Sequence, residues 1–341
     1  DAALRIGAGK NTGDRTTGPL HLGHFAGSLA NRVRLQHEHE QYLLLADAQA
    51  MTDTMHDIGR VRRSILDVAI DYLACGIDPS LTTICLQSAM PALADLTMLY
   101  LNLVTVSRLE RNPTIGAEIT HRAFDRAIPA GFLCYPAAQA ADITGFRATL
   151  VPAGADQAPM IEQTNEIVTR INRLADREVL SPCRALIPEA GRLPGPDGKG
   201  KMSKSAGNAI TFSATDAEIS GVVMTMFTDP DHVRVSDPGK VEGNVVFAYL
   251  YAFDPRRDEV DDLADRYRRG GLGDMMLKRR LKQVLIDLIA PIRERRMSIA
   301  ARPDDVRDII REGTLRGRER TASTLELVRE ALGISNRIYG F

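Results

Sequence analysis

Through its first 190 or so residues, the sequence alternates short apolar runs with longer segments of helical periodicity. Residues 42–46 read YLLLA and residues 82–87 read TTICLQ, two strand candidates bounded by polar residues. Residues 61–75 and 91–106 carry apolar side chains at helical spacing. This alternation predicts an α/β domain in which helices cover both faces of a parallel sheet. Because ligands of such sheets bind at the carboxyl ends of the strands, functional motifs are expected on the loops that follow strands.

A loop rich in glycine and proline interrupts this pattern at residues 191–200. Six of its ten residues, GRLPGPDGKG, are Gly or Pro, which excludes a helix or a strand. Beyond the loop the strand pattern fades, and helices are predicted at residues 214–227, 242–253, 258–269, 274–296, 303–313 and 319–332. The sequence therefore predicts two domains, an α/β domain over residues 1–210 and an all-α domain over residues 211–341.

Composition excludes several classes of protein. The chain is 44% hydrophobic and 26% charged, which argues against a disordered or fibrous protein. No apolar run approaches the ~20 residues of a membrane span, and the first residues do not resemble a signal peptide, so a cytoplasmic protein without a membrane partner is expected. The four cysteines lie far apart without a CxxC pair, which favours reduced thiols over disulfides or a zinc site; they are Cys75, Cys85, Cys134 and Cys183.

Basic residues are unevenly distributed although the formal net charge is only −1. Only seven of the 43 basic residues are lysine, and arginine is the better partner for planar phosphate and carboxylate groups. Between Lys278 and Arg296, seven basic residues stand against two acidic ones. This run is either a solvated helix face or a surface that contacts nucleic acid.

The first motif is TTGPLHLGH, residues 16–24. Gly18 permits a tight turn and Pro19 suits the first position of a helix, so His21 and His24 are expected on one helical face. Gly23 between them leaves room for a flat ligand against the helix. Backbone N–H groups at a helix start attract phosphate, and imidazoles can donate hydrogen bonds to it. By itself the motif is equally compatible with a phosphate site and with two ordinary surface histidines.

The second motif, KMSKS, occupies residues 201–205 and follows the Gly/Pro loop directly. Two ammonium groups three positions apart, together with two hydroxyls, can clamp a polyphosphate. A loop next to so many glycines can also move, as a clamp that closes on its ligand must. Taken alone, the pattern is also compatible with a solvated loop.

HLGH followed about 180 residues later by KMSKS resembles the HIGH and KMSKS motifs of class I aminoacyl-tRNA synthetases. The resemblance is strongest to the bacterial tryptophanyl-tRNA synthetases and extends over nearly the whole chain. Further segments recur at that family's spacing: GIDP (76–79), LQS followed by a proline (86–91), LER (109–111), YPAAQAADI (135–143), VPAGADQ (151–157) and TDPD (228–231). The resemblance implies a Rossmann-like, parallel-sheet nucleotide-binding domain followed by an all-α domain that meets the tRNA anticodon.

The resemblance also implies a reaction. ATP and L-tryptophan form tryptophanyl-adenylate and pyrophosphate, and the tryptophanyl group then passes to tRNA(Trp), which is the activity of a tryptophan–tRNA ligase. Mg²⁺ is expected to arrive with ATP rather than in a metal site built by the protein. The family forms a homodimer, and its extreme C-terminus packs back on the first domain.

Residues of the nucleotide site follow from the resemblance by position. Catalytic roles fall on His21, His24, Lys201 and Lys204, the two lysines clamping the pyrophosphate. ATP contacts fall on Arg15, Thr16, Thr17, Gly23, His24, Gly154, Ala155, Asp156, Leu193, Lys201, Met202, Ser203, Lys204 and Ser205. Four positions in two segments depart from the family pattern, because residues 15–17 replace the usual Gln-Pro-Ser and His24 replaces a frequent Asn.

The resemblance places the amino acid against Tyr135, Gln139, Asp142 and Gln157. The first three are spaced i, i+4 and i+7, so they share a helix face, and Asp142 is expected to accept the indole N–H. Gln139 stands where the family often has Met, and its amide is expected either to bind the substrate ammonium or to orient Asp142. This departure keeps a tyrosyl-tRNA synthetase open as an alternative. A synthetase-like paralogue with an added binding or regulatory role is a second alternative.

Overall fold

The computed structural model describes residues 9–122, 128–154, 157–187, 193–200, 202 and 207–335. The strands are β1 (Gly9–Arg15), β2 (Gln41–Ala46), β3 (Thr82–Leu86), β4 (Ala148–Pro152) and β5 (Arg184–Leu186). The helices are α1 (Leu22–His24), α2 (Ala30–Leu35), α3 (Asp47–Thr54), α4 (Ile58–Ala74), α5 (Pro91–Leu101), α6 (Val106–Glu110), α7 (Pro113–Arg122), α8 (Ala130–Gly145), α9 (Ala158–Leu174), α10 (Asp216–Thr225), α11 (Val245–Phe253), α12 (Arg257–Arg269), α13 (Asp274–Ala300) and α14 (Pro303–Ala331).

The five strands form one parallel sheet in the order β3-β2-β1-β4-β5, which confirms the predicted α/β class. The chain adds β2 and β3 on one side of β1 and then β4 and β5 on the other. The reversal of direction at β1 is the topological switch point, where α/β sheets bind their ligands. β1 itself was not evident from the sequence, because its residues, GKNTGDR, lack the apolar pattern of a central strand.

A buried ion pair holds the carboxyl end of β1 in place. The Arg32 guanidinium donates to Asp14 at 2.5 Å, and the Tyr72 hydroxyl donates to the same carboxylate oxygen at 2.8 Å. Arg32 is only 2% exposed, so this charge is tolerated only because the carboxylate compensates it. The triad therefore anchors the segment that leads into Arg15.

The chain divides into two compact units that do not coincide with the predicted boundary at residue 210. The first comprises residues 1–18, 31–187 and 302–341, and the second comprises residues 19–30 and 188–301. The second unit thus includes the HLGH segment as well as helices α10 to α13, whereas α14 belongs to the first unit. The difference arises because compact units follow tertiary contacts, whereas the predicted boundary followed a change in local pattern.

In the first unit, α14 packs across the edge strand β3. The Thr314 hydroxyl accepts a hydrogen bond from the Leu86 N–H at 3.0 Å. A Cβ atom on Gly313 would lie 2.0 Å from the Ile84 carbonyl oxygen, so only glycine permits this approach of helix and strand. The prediction of separate helices at 303–313 and 319–332 was therefore wrong, because α14 is one continuous helix that touches the sheet at Gly313.

The second unit is helical, with α10 and α11 both packed against α13. Leu277, Leu281, Leu285 and Ile289 form the fully buried stripe of α13 at four-residue spacing. The predicted all-α character of this part of the chain is confirmed. Within the described residues, no helix combines the length and hydropathy needed to cross a membrane.

Candidate active site

In the first unit, helix α8 carries three of the predicted amino-acid ligands. Tyr135 and Asp142 are 6% and 7% exposed, and Gln139 is half-buried. The Tyr135 ring packs edge-on against Phe132, and its hydroxyl lies 3.4 Å from a Glu118 carboxylate oxygen. The helix thus presents one aromatic surface and one buried carboxylate, as the i, i+4, i+7 spacing predicted.

Asp142 accepts a hydrogen bond of 2.8 Å from the side-chain amide of Gln87. Gln87 follows β3 directly, at the carboxyl edge of the sheet. Burial raises the pKa of Asp142 to about 7, although the hydrogen bond from Gln87 opposes the rise. A carboxyl group that titrates near neutrality in a buried position is typical of a functional site.

Gln139 contacts Gln157 rather than Asp142. Its amide nitrogen donates to the Gln157 side-chain oxygen at 3.3 Å. Gln157 precedes α9, and its backbone N–H donates to the Gly154 carbonyl at 3.0 Å, so the two predicted ligands Gly154 and Gln157 belong to one turn after β4. Ala155 and Asp156 lie outside the described residues.

The turn after β1 carries the predicted ligands Arg15, Thr16 and Thr17. The Thr17 N–H donates to the Arg15 carbonyl at 2.8 Å, and the Thr17 carbonyl accepts from the Arg60 side chain at 2.9 Å. Thr16 is fully buried, and its hydroxyl makes no hydrogen bond to the described residues. The turn therefore stands rigidly at the switch point of the sheet.

In the second unit, both histidines of HLGH cap the start of their own helix. The His21 Nδ1 atom accepts the Gly23 N–H at 3.1 Å, and the His24 Nδ1 atom accepts the His21 N–H at 3.3 Å. With Nδ1 accepting, a neutral imidazole carries its proton on Nε2, the atom that can donate to a ligand. The ring centroids are 4.0 Å apart. His21 was expected on a face of a helix that begins at Pro19, but α1 begins at Leu22 and His21 is its N-cap.

Met202 of KMSKS lies beside HLGH in this unit. A Cβ atom on Gly23 would lie 3.7 Å from the Met202 Cβ atom and 2.9 Å from the His21 ring. The Leu22 N–H also donates to the Ile210 carbonyl at 3.0 Å, so the chain that follows KMSKS is held near α1. The predicted ligands Met202 and Leu193 are buried. Lys201, Ser203, Lys204 and Ser205 lie outside the described residues.

The family model described as tRNA synthetases class I (W and Y) matches residues 10–290. The chain belongs to this family. It is 51% identical over 327 residues to the tryptophan–tRNA ligase of Clostridium longisporum, covering 95% of this chain and 96% of that protein. It is 50% identical over 332 residues to the same enzyme from Lactococcus lactis, covering 95% and 97% respectively.

A solved structure supports the same assignment. The chain resembles the tryptophanyl-tRNA synthetase of Campylobacter jejuni, crystallised in complex with ADP and tryptophan, with a TM-score of 0.78 and 25% identity. The match covers 95% of this chain and 99% of that one. The family and its fold were thus predicted correctly from the sequence.

One residue of the site was missed as a functional group. Gln87 belongs to the LQS segment, and no role was predicted for it, although an amide directly after a strand of a parallel sheet stands where ligands bind. Among the described residues there is no group of His, Cys, Asp and Glu side chains arranged to hold a metal ion.

Proposed function

We propose that this protein activates L-tryptophan with ATP and transfers it to tRNA(Trp). The observation that carries the proposal is the buried Asp142 carboxylate on α8, in a chain about half identical to tryptophan–tRNA ligases. A buried carboxylate is costly unless it is hydrogen-bonded, and an indole offers one N–H to it. Tyr135 supplies the neighbouring aromatic surface.

The chemistry of the first step needs no protein nucleophile. An oxygen of the tryptophan carboxylate attacks the α-phosphorus of ATP, the bond to the bridging oxygen breaks, and pyrophosphate leaves with its electron pair. The protein contributes positioning and stabilisation of the negative charge. Mg²⁺ arrives with ATP and neutralises part of that charge.

The nucleotide is proposed to contact the residues named for it from the sequence. The Nε2–H groups of His21 and His24 donate to phosphate, and Lys201 and Lys204 hold the departing pyrophosphate. Gly23 leaves room for the nucleotide above the helix. Arg15, Thr16, Thr17 and the turn at Gly154 complete the contacts at the switch point.

The α-amino end of tryptophan is assigned to Gln157. Its carboxamide oxygen accepts from Gln139, which orients the amide and leaves Asp142 to read the indole. Two roles were considered for Gln139, direct contact with the ammonium and orientation of Asp142. The hydrogen bond to Gln157 favours neither of them. Gln139 acts instead on the neighbouring ligand.

The remaining assignments follow the family. The protein acts in the cytoplasm as a homodimer, and its helical part contacts the tRNA anticodon. A synthetase-like paralogue kept as a binding or regulatory protein without activity would share every residue named above, and an activity assay separates it from an active enzyme.

Amino-acid-dependent pyrophosphate exchange tests the proposal. With each of the twenty amino acids in turn, exchange is expected with tryptophan. Phenylalanine offers no donor to Asp142, and a site built around one N–H rejects such an analogue by up to ~10⁴–10⁵-fold. Tyrosine is expected to react weakly, because its hydroxyl stands on a smaller ring than the indole N–H. Preference for tyrosine would support the tyrosyl alternative, because a phenol hydroxyl can also donate to Asp142. No exchange with any amino acid would support the regulatory paralogue.

A Lys204→Ala variant tests the role of the loop. It is expected to lower kcat for exchange by ~10²–10³-fold, the scale of one lost contact to a developing charge, with a smaller effect on the KM for tryptophan. Near-normal exchange would contradict the assignment of Lys204.

A further inference from the structure

Two segments far apart in sequence meet at Asp142. Gln87 begins the short turn after β3, and Asp142 lies near the end of α8, yet the two side chains are joined by a buried hydrogen bond of 2.8 Å. Both residues are 7% exposed. The contact is therefore largely shielded from water, and a hydrogen bond from a neutral amide to a carboxylate is strong in such surroundings.

The orientation of the Gln87 amide is fixed independently of Asp142. Its side-chain oxygen accepts the backbone N–H of Gln49 at 2.9 Å. This N–H belongs to the first turn of α3, where backbone donors have no partner within the helix. A flipped amide would set two donors against each other at Gln49 and an oxygen against the Asp142 carboxylate. The NH₂ group of Gln87 must therefore face Asp142.

A second set of hydrogen bonds, between Asp47 and Ser88, holds the same turn and does not involve Asp142. The Asp47 carboxylate accepts the Ser88 N–H at 2.9 Å and the Ser88 hydroxyl at 2.5 Å. The turn after β3 is thus fastened to α3 by two neighbouring residues. Only Gln87 of this pair extends the connection to α8.

We infer that Gln87 is a positioning residue of the tryptophan site, which holds Asp142 in the ionised, hydrogen-bond-accepting form that the indole N–H requires. This inference rests on the proposed function, in which Asp142 reads the indole. A carboxylate has two oxygens and about four acceptor positions, so the bond from Gln87 leaves capacity for a substrate donor. The amide thereby selects both the charge state and the rotamer of the carboxylate.

Near neutral pH, the protonated and ionised forms of Asp142 differ little in free energy. Burial raises the pKa of Asp142 to about 7, and Gln87 is the group that opposes the rise. The neighbouring Cys85 thiol of β3 has a pKa raised by its burial and by the Asp142 charge, so it stays neutral in this range. Arg316 of α14 acts on Cys85 in the opposite sense. Near neutral pH, the hydrogen bond from Gln87 therefore favours the ionised form of Asp142.

The pH profile of kcat/KM for tryptophan tests the inference, since it reports groups of the free enzyme. In the wild type, kcat/KM is expected to rise with pH through a midpoint near 7, as Asp142 ionises. Gln87→Met keeps the volume but removes the donor, and should move the midpoint upward by about one unit or more, the scale of one lost hydrogen bond to a charged group. Activity should recover in part at high pH.

Two further variants separate positioning from support of the turn. Gln87→Glu keeps an oxygen for the Gln49 N–H but places a second carboxyl beside Asp142, and should also raise the midpoint. Ser88→Ala is the matched control, because it removes the hydrogen bond from the Ser88 hydroxyl to Asp47 without changing a donor to Asp142. Its midpoint should match the wild type. A Gln87→Met loss that is equal at every pH, or a shift as large in Ser88→Ala, would overturn the inference.

The tryptophan analogue in which sulfur replaces the indole N–H distinguishes this inference from the proposed function. If the wild type uses the analogue as well as tryptophan, Asp142 does not read the indole, so its proposed role and this inference both fail. The proposed function itself fails only if tryptophan supports no pyrophosphate exchange. If the wild type discriminates and Gln87→Met discriminates equally at every pH, only the role of Gln87 fails. Reduced discrimination by Gln87→Met near pH 7 supports both.

Discussion

Two buried aspartates, one in each compact unit, are treated in opposite ways by their surroundings. Asp142 of the first unit accepts from the neutral amide of Gln87, and its pKa is raised to about 7 by burial. Asp254 of the second unit is 2% exposed, and burial alone would raise its pKa too. Hydrogen bonds from the Arg280 guanidinium, at 2.7 Å, and from the Arg256 N–H outweigh this, so the pKa of Asp254 is lowered.

The comparison shows what a buried carboxylate is for. A cation compensates Asp254 permanently, as a structural ion pair requires. Asp142 has a neutral donor and a pKa near the working pH, which leaves the ligand to complete its stabilisation. A buried aspartate therefore has a structural role in the second unit and a proposed recognition role in the first.

The comparison also reinterprets the basic run between Lys278 and Arg296. Arg280 pairs with Asp254 and Glu259, the Lys278 ammonium donates to the Met224 carbonyl, and Arg293 pairs with Asp216. These side chains hold α13 to its neighbours within the second unit. Lys278, Arg280 and Arg293 are therefore not fully solvated, and contact of the run with nucleic acid stays a prediction.

The largest expected effect is on activity, from removing the carboxylate of the first unit. Asp142→Ala should lower kcat/KM for tryptophan by ~10²–10³-fold, because truncating one partner of a buried charged hydrogen bond costs several kcal/mol. The KM for ATP should stay within about twofold, measured by pyrophosphate exchange. Asp254→Ala serves as the control, and equal losses in the two variants would remove the distinction between them.

The next effect is on stability and has the opposite sign. The pKa of Asp142 is higher in the folded than in the unfolded protein, so its ionisation costs stability as pH rises from about 4 to about 7. Asp142→Asn keeps an oxygen for Gln87 and cannot ionise, so it should raise the free energy of unfolding at pH 8 by ~2–4 kcal/mol. The gain should vanish near pH 4. Urea unfolding at both pH values measures it, and an unchanged stability at pH 8 would contradict the raised pKa.

For the aspartate of the second unit, neutralisation should destabilise. Asp254→Asn leaves the partly buried Arg280 with Glu259 alone, at an expected cost of ~1–3 kcal/mol at pH 7. Because the folded pKa of Asp254 is lowered, its contribution is present above the unfolded pKa and is lost as pH falls through the folded one. The variant and the wild type should therefore converge at low pH. A constant difference down to pH 2 would mean that packing rather than charge was lost.

The smallest effect is expected at Arg279, which is the neighbour of Arg280 and its control. Arg280→Ala should destabilise by ~1–3 kcal/mol, whereas the exposed Arg279→Ala should change stability by less than ~0.5 kcal/mol. If Arg279 touches the tRNA backbone, its removal should lower the salt dependence of tRNA binding by about one phosphate contact. An unchanged slope in filter binding over a range of salt would assign this position to the solvent.

Prediction from sequence succeeded where the physical cause is local. Strands β2 and β3 were recognised because short apolar runs bounded by polar residues are typical of buried strands, and α4 because its apolar spacing ends at Gly76. Strand β1 was missed because its polar residues are held by neighbouring strands and by the Asp14–Arg32 pair. The continuity of α14 was missed because Gly313 weakens an isolated helix but permits its contact with β3.

The sequence by itself determined the alternation of strands and helices and the family, since local patterns and motifs carry both. Only the tertiary structure decided the ionisation of Asp142 and the partners of the basic side chains on α13. Gln87 and Asp142 are 55 positions apart, and Arg280 and Asp254 are 26 apart. A carboxylate's pKa depends on what the fold buries it against, and no local pattern of residues specifies that environment.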